Sequence, residues 1–264
     1  MKIVRFMHEG DAVTGILEDG RVYPAAGSIY SELRMIEADS LPVGEATLLP
    51  PVLPSKVVAV GLNYRDHAEE VGAPIPAEPL LFMKPSTSVI GPGEPIVHPS
   101  VCTRMDYEAE LALVVKEKAY RVTEEDAVPF ILGYTCCNDV TARDIQTRDG
   151  QWTRAKSFDT FCPIGPVIET NVDPARLNVM SRLNGETRQS SNTGQFIFPV
   201  FELFSFISHI MTLLPGDVIT TGTPSGIGAM KPGDTVEIEI EGIGVLRNEI
   251  VAEHTGSGGE HGKG

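Results

Sequence analysis

The run Asp106-Tyr107-Glu108-Ala109-Glu110-Leu111-Ala112-Leu113-Val114-Val115 restricts the fold more than any other part of this chain. Its second half is continuously apolar, the mark of a strand covered on both faces, and such strands lie inside sheets that are packed on either side. Side chains alternate along a strand, so Asp106, Glu108 and Glu110 share one face while Tyr107, Ala109 and Leu111 share the other. Carboxylates crowded onto one face of a cleft repel, raise one another's pKa or recruit a cation, and a hard divalent ion takes oxygen ligands of this type. The alternative is a solvated acidic strand end, and the stretch by itself leaves both open.

A covered sheet needs a core. The chain has 264 residues, 42% of them hydrophobic and 22% charged, enough for one large domain or for one large domain with a small attachment. A formal charge of -15 argues against a nucleic-acid partner, which would call for an excess of Lys and Arg. The start, Met1-Lys2-Ile3-Val4-Arg5, has no apolar core of signal-peptide length, and no window approaches the roughly 18 apolar residues of a membrane span. A cytoplasmic protein without a membrane partner is therefore expected. Cys102, Cys136, Cys137 and Cys162 lack a C-x-x-C spacing and read as buried free thiols.

Residues 1–50 read as a small α+β unit. Strands are expected at 3–6, 12–17 and 21–23, a hairpin turn at Glu18-Asp19-Gly20, and a short helix over 28–37, where Ile29, Leu33 and Ile36 recur at helical spacing. The run Leu49-Pro50-Pro51-Val52-Leu53-Pro54 breaks regular structure and marks a boundary. Residues 51–252 then form a β-rich mixed α/β domain. Its strands are expected at 56–60, 80–85, 106–115, 130–138, 162–168, 177–183, 186–190, 217–221, 235–241 and 245–251, and helices near Asn63, at 124–128 and at 200–214. Residues 253–264, rich in glycine, are expected to be a disordered tail.

Four positions carry candidate chemistry, each beside a plainer reading. If the chain turns helical near Asn63, His67 and Glu70 lie three residues apart on one face, as a general base and its orienting carboxylate or as ordinary surface residues. Asp139, at the end of a strand, is an N-cap for the following helix or a third ligand beside Glu108 and Glu110. Lys156 holds a substrate carboxylate or enolate, or snorkels to the surface. The Gly-rich loop 222–228 lacks the Lys of a P-loop and does not follow the dinucleotide fingerprint.

Six runs, in order, resemble the fumarylacetoacetate hydrolase superfamily: Gly61-Leu62-Asn63-Tyr64-Arg65-Asp66-His67, Phe82-Met83-Lys84-Pro85, Asp106-Tyr107-Glu108-Ala109-Glu110-Leu111, Asn138-Asp139-Val140-Thr141-Ala142-Arg143-Asp144, Ala155-Lys156-Ser157-Phe158-Asp159 and Thr221-Gly222-Thr223-Pro224-Ser225-Gly226. The resemblance implies a β-roll catalytic domain behind a smaller N-terminal domain, in a homodimer. It implies that Glu108, Glu110 and Asp139 hold one Mg²⁺ or Mn²⁺, that His67 and Glu70 are the acid/base dyad, and that Lys156 lies near the substrate oxygens. Arg143, Gln146 and Thr223 fall in the runs lining the pocket. The substrate implied is a small β-dicarbonyl or 2-keto acid, reacting through a metal-stabilised enolate. C–C bond hydrolysis of an acylpyruvate type leads among the implied reactions. Isomerisation or decarboxylation of 2-hydroxydienedioates in aromatic catabolism, oxaloacetate decarboxylation and a non-catalytic dicarboxylate binder are the alternatives.

Overall fold

In the computed structural model, which describes residues 1–254, the chain folds around one large mixed sheet. Across that sheet the strands run Leu33–Met35, Arg21–Gly27, Asp11–Glu18, Lys2–His8, Cys162–Glu169, Ile131–Asn138, Ala109–Val115, Val218–Thr220, Val57–Gly61 and Leu80–Lys84. Ala109–Val115 is central, antiparallel to Ile131–Asn138 on one side and to Val218–Thr220 on the other. Every residue in it is buried. Leu111, Leu113 and Val115 join one apolar cluster with Leu203, Phe204 and Ile207, whereas Ala112 and Val114 join a second with Ile3, Val57 and Ile168. The unbroken apolar run thus has the two-sided burial expected of it, and each Leu or Val so covered contributes about 1.5–3 kcal/mol relative to exposure.

Four helices are used below: α1 (Arg65–Val71), α2 (Arg143–Asp149), α3 (Thr153–Lys156) and α4 (Val200–Ile210). The apolar stripe of α4 supplies Leu203, Phe204 and Ile207 to the first cluster. The expected helix runs to 214 but stops four residues earlier, because Leu213 leaves it to exchange backbone hydrogen bonds with Ala119 (3.0 and 2.9 Å). The strands Lys2–His8, Asp11–Glu18 and Arg21–Gly27 form an antiparallel meander, and the first also pairs with Cys162–Glu169, with Ile3 opposite Ile168. The N-terminal strands are therefore continuous with the main sheet.

Three further local expectations fail. No helix forms over 28–37: Gly27, at φ +105°, reverses the chain, Ser28 N donates to Glu32 O (2.9 Å), and Leu33–Met35 returns as a strand against Arg21–Gly27. Residues 124–128 form no α-helix either; 124–127 are turn and loop, and position 128 opens a 3₁₀ turn, Val128–Phe130, with Pro129 inside it. The third concerns the acidic strand, which breaks at Glu108. Met105–Tyr107 pairs with Thr141–Ala142 and Gly228–Met230 in a separate small sheet. At the break, side chains substitute for ladder partners: Glu108 N donates to Asn138 Oδ1 (3.0 Å), and Ala109 N donates to Gln189 Oε1 (3.0 Å). Ala109 O accepts from Thr223 Oγ1 (2.9 Å). Glu253 is tied to Ser100 and His98 by hydrogen bonds, while residues 255–264 of the expected tail lie outside the described residues. Among the described residues, no helix is long and apolar enough to cross a membrane.

Candidate active site

The break at Glu108 and the end of strand Ile131–Asn138 bring Glu108, Glu110 and Asp139 together. One oxygen from each lies within 4.8 Å of the others, and the residues are 5%, 1% and 1% exposed. Asp106, on the same face of the expected strand, goes elsewhere. It is held by Arg104 through two bonds (2.9 and 3.1 Å) and by Arg143 Nε (2.9 Å). Asp139 does not cap α2, whose N-cap position is Ala142, with no side-chain cap. Its oxygens instead accept from Lys84 Nζ (2.5 Å) and Lys156 Nζ (2.6 Å).

Lys156 is not a surface lysine. At 2% exposure, on the last residue of α3, it also donates to Glu108 Oε2 (2.7 Å), with Phe82 stacked 5.0 Å from its ammonium. Arg143 Nη2 takes the other oxygen of Glu108, and Arg143 Nη1 donates to Gln146 Oε1 (2.5 Å). The resulting charges are unequal. Burial opposes ionisation of Glu108, but Lys156 and Arg143 together hold it down, at about 2. Burial and the neighbouring charges of Asp139 and Glu108 push Glu110 well above the ordinary carboxylate range. Its Oε2 accepts the Gly222 amide (2.9 Å), and no side-chain cation bonds to it among the described residues. Burial weakens the Lys156 ammonium, yet Asp139 and Glu108 more than compensate and raise its pKa. Three converging hard oxygen donors, one of them a buried carboxylate without a cationic partner, fit a divalent ion of the Mg²⁺ or Mn²⁺ class.

Across the cavity stands the dyad. His67 Nδ1 lies 2.8 Å from Glu70 Oε2, on one face of α1 as the three-residue spacing predicts. A carboxylate only accepts, so with Glu70 ionised Nδ1 carries the proton, leaving Nε2 as the free ring nitrogen. Glu70 Oε1 accepts from Gly226 N (2.9 Å), and Asp66 accepts from Ser191 Oγ (2.6 Å), so α1 is tethered at both ends. Glycine is required in this loop. Gly222 has φ +88° with Asn63 Cβ 2.8 Å from where its own Cβ would lie, and Gly226 has φ +95° with Arg188 O only 2.3 Å away. Thr223 Oγ1, besides bonding Ala109 O, accepts from Gln189 Nε2 (2.8 Å).

His67, the three carboxylates, Lys156, Arg143, Gln146 and Thr223 all line one cavity of about 250 Å³; Glu70 stands behind His67. Phe82 and Trp152, packed edge to face at 5.3 Å, form its apolar wall with Leu80 and Val71. A larger cavity, about 640 Å³, opens between Leu49, Pro92 and Arg247 and holds none of these groups. Sequence reasoning did not single out Lys84, Gln189, Asp66 or Ser191. Lys84 has a local signal, a lysine closing an apolar strand ahead of Pro85. Gln189 and Ser191 have none, because their partners are remote in sequence.

Residues 56–251 match the family described as fumarylacetoacetate (FAA) hydrolase C-terminal, and residues 1–51 match the one described as Rv2993c-like, N-terminal. The chain is 41% identical over 252 residues to the human mitochondrial oxaloacetate tautomerase FAHD2B, covering 90% of this chain and 79% of that protein. The 2-hydroxyhepta-2,4-diene-1,7-dioate isomerase of Mycobacterium marinum superposes with a TM-score of 0.90 at 41% identity, covering 96% of this chain and 99% of that one. A maleylpyruvate hydrolase from Sphingobium sp. SYK-6, solved with manganese(II) and pyruvate, superposes with a TM-score of 0.80 at 26% identity over 96% of this chain and 99% of that one.

Proposed function

The chain belongs to the fumarylacetoacetate hydrolase family, and we propose that it is a divalent-metal-dependent enzyme catalysing keto–enol proton transfer on a small 2-oxo acid. One observation carries this reading: a histidine–glutamate dyad faces a triad of buried carboxylates across a single small cavity. Glu108, Glu110 and Asp139 would hold the ion, which would supply Lewis acidity to the oxygens of the substrate.

The remaining work falls to side chains. His67 Nε2 takes a proton from the carbon beside the keto group and the former keto oxygen gains one, giving the enol; in the reverse direction His67 returns the proton to that carbon, a task suited to a base within hydrogen-bond reach of the substrate. Glu70 stabilises the imidazolium formed in between, and the Gly226 amide fixes its second oxygen so that the ring keeps one orientation. Lys156 and Arg143 bring positive charge to the substrate carboxylate and to the oxygen on which negative charge develops. Gln146 and Thr223 complete the polar wall. Phe82 and Trp152 keep bulk water from the opposite side.

Tautomerisation is put first because a tautomerase and an isomerase relative each share 41% of their residues with this chain, while a fumarylacetoacetate hydrolase from Exiguobacterium antarcticum shares 37% and the maleylpyruvate hydrolase 26%. The second reading, C–C hydrolysis of an acylpyruvate, uses the same dyad to deprotonate water and is supported by the maleylpyruvate hydrolase. A homodimer belongs to the same reading. Met83 on the edge strand and Ile210 at the end of α4, 42% and 56% exposed and lining one apolar groove with Phe206, support it, and sedimentation would test it.

The deciding assay follows oxaloacetate enol decay, acylpyruvate cleavage and 2-hydroxydienedioate isomerisation with Mg²⁺, with Mn²⁺ and with EDTA. Metal-dependent acceleration of oxaloacetate tautomerisation, without cleavage, is expected. Cleavage of acetylpyruvate at a higher kcat/KM would replace tautomerisation with the second reading, and inertness toward all three would end both.

A further inference from the structure

Both carboxylates flanking Lys156 have each of their oxygens engaged by a cationic side chain. On Glu108 the donors are Arg143 and Lys156; on Asp139 they are Lys84 and Lys156. The Lys156 ammonium alone bridges the two residues, at 2.7 and 2.6 Å, inside the triad whose donor atoms lie within 4.8 Å of one another. With all three carboxylates ionised, the form a bound cation requires, the formal charges of the triad, −3, and of Lys84, Lys156 and Arg143, +3, cancel. Asp106 is balanced separately, by Arg104 and by the shared Arg143.

A divalent ion entering this cluster meets an ammonium already bonded to two of its three ligands. It also leaves the cluster with two excess positive charges in a setting that solvates them poorly. We infer that Lys156 is the internal counter-ion of the cation site: it competes with the divalent ion for Glu108 and Asp139, and an anionic ligand relieves the competition by drawing the ammonium to itself. Metal and anion then bind with positive coupling, each strengthening the other. Substrate anions carrying two charges gain more from this than those carrying one, since two charges restore neutrality. The 2-oxo dicarboxylates are thus the favoured class within the proposed activity. This inference rests on the metal-site reading above, and the test separates the two.

Mn²⁺ binding to the full chain would be measured by the electron paramagnetic resonance signal of the free ion, with pyruvate as the anionic probe and Lys156→Met as the variant. The methionine keeps the approximate length and burial of the side chain and removes its charge together with the hydrogen bonds it donates to Glu108 and Asp139. Lys156→Met is expected to bind Mn²⁺ at least tenfold more tightly than the parent in the absence of pyruvate. Pyruvate should tighten Mn²⁺ binding to the parent severalfold, and to the variant by less. Equal or weaker Mn²⁺ binding by Lys156→Met, or equal pyruvate coupling in both proteins, would overturn the counter-ion role. Should the variant not fold, the parent decides: Mn²⁺ affinity unmoved by saturating pyruvate refutes the coupling. If the parent binds no Mn²⁺ with or without pyruvate, the metal site itself fails.

Discussion

Glu110→Gln should make the protein more stable and unable to load metal, and the structure gives the size of the effect. Glu110 shares its buried cluster with Glu108 and Asp139, with oxygens no more than 4.8 Å apart. At that separation and an effective dielectric constant of about 20, each like-charge pair repels by about 3.5 kcal/mol. Lys156 offsets part of the two repulsions, leaving a net gain of about 2–4 kcal/mol on removing the charge, which raises Tm by roughly 5–10 °C for a domain of this size. Glutamine still accepts the Gly222 amide and can donate to a neighbouring carboxylate, so no buried group is orphaned. The sign with pH follows from the raised pKa. Below the ordinary carboxylate range Glu110 is protonated in both the folded and the unfolded chain and the two proteins match. As pH rises, the unfolded chain ionises first, the parent loses stability and the variant does not. Thermal unfolding in EDTA at pH 5 and pH 7.5, then with Mn²⁺, checks each step. The variant should gain more at pH 7.5 than at pH 5, and only the parent should be stabilised by Mn²⁺. A variant less stable than the parent in EDTA at pH 7.5 would refute the electrostatic account.

Three further outcomes are expected. His67→Ala should lower kcat by about 10²–10⁴, the range of a lost general base, with Mn²⁺ affinity unchanged in a binding titration. Gly226→Ala, which forces a Cβ to 2.3 Å from Arg188 O at a left-handed φ of +95°, should move the amide that holds Glu70, so that kcat falls while Mn²⁺ binding persists; steady-state kinetics beside a metal titration would show the split. Asp217→Ala tests a buried site remote from the cavity: the carboxylate binds Lys56, Ser55 Oγ (2.6 Å) and Leu214 N (2.8 Å), and its loss should cost about 3–5 kcal/mol in urea unfolding without altering Mn²⁺ affinity.

The parts of the fold that were legible are those written in local periodicity. Two-sided burial of Ala109–Val115 follows from an unbroken apolar run, and the placement of His67 over Glu70 follows from helical spacing. The break at Glu108 was not legible because its causes, Asn138, Gln189 and Thr223, act from other strands and loops. Asp106 illustrates the same limit: alternation places it beside Glu108, but only the fold shows that Arg104 and Arg143 claim it. The depth of Lys156 was equally hidden, since its surroundings come from Phe82 and from the carboxylates it joins. The helix expected over 28–37 had the right apolar spacing, and the reversal at Gly27 overrode it.

The two halves of the site rest on foundations of different stiffness. The carboxylates grow from the central strands of the largest sheet, whereas His67 and Glu70 ride on a seven-residue helix fastened by Ser191 and the Gly226 amide. On the proposed roles, a shift of a few tenths of an ångström in α1 re-aims the base without disturbing the seat of the ion. Where a proton is delivered, to one carbon, to its neighbour or to a water, is then a matter of how one short helix is moored. Such an arrangement lets a single electrophilic platform be retuned to a new reaction by substitutions at two anchor points.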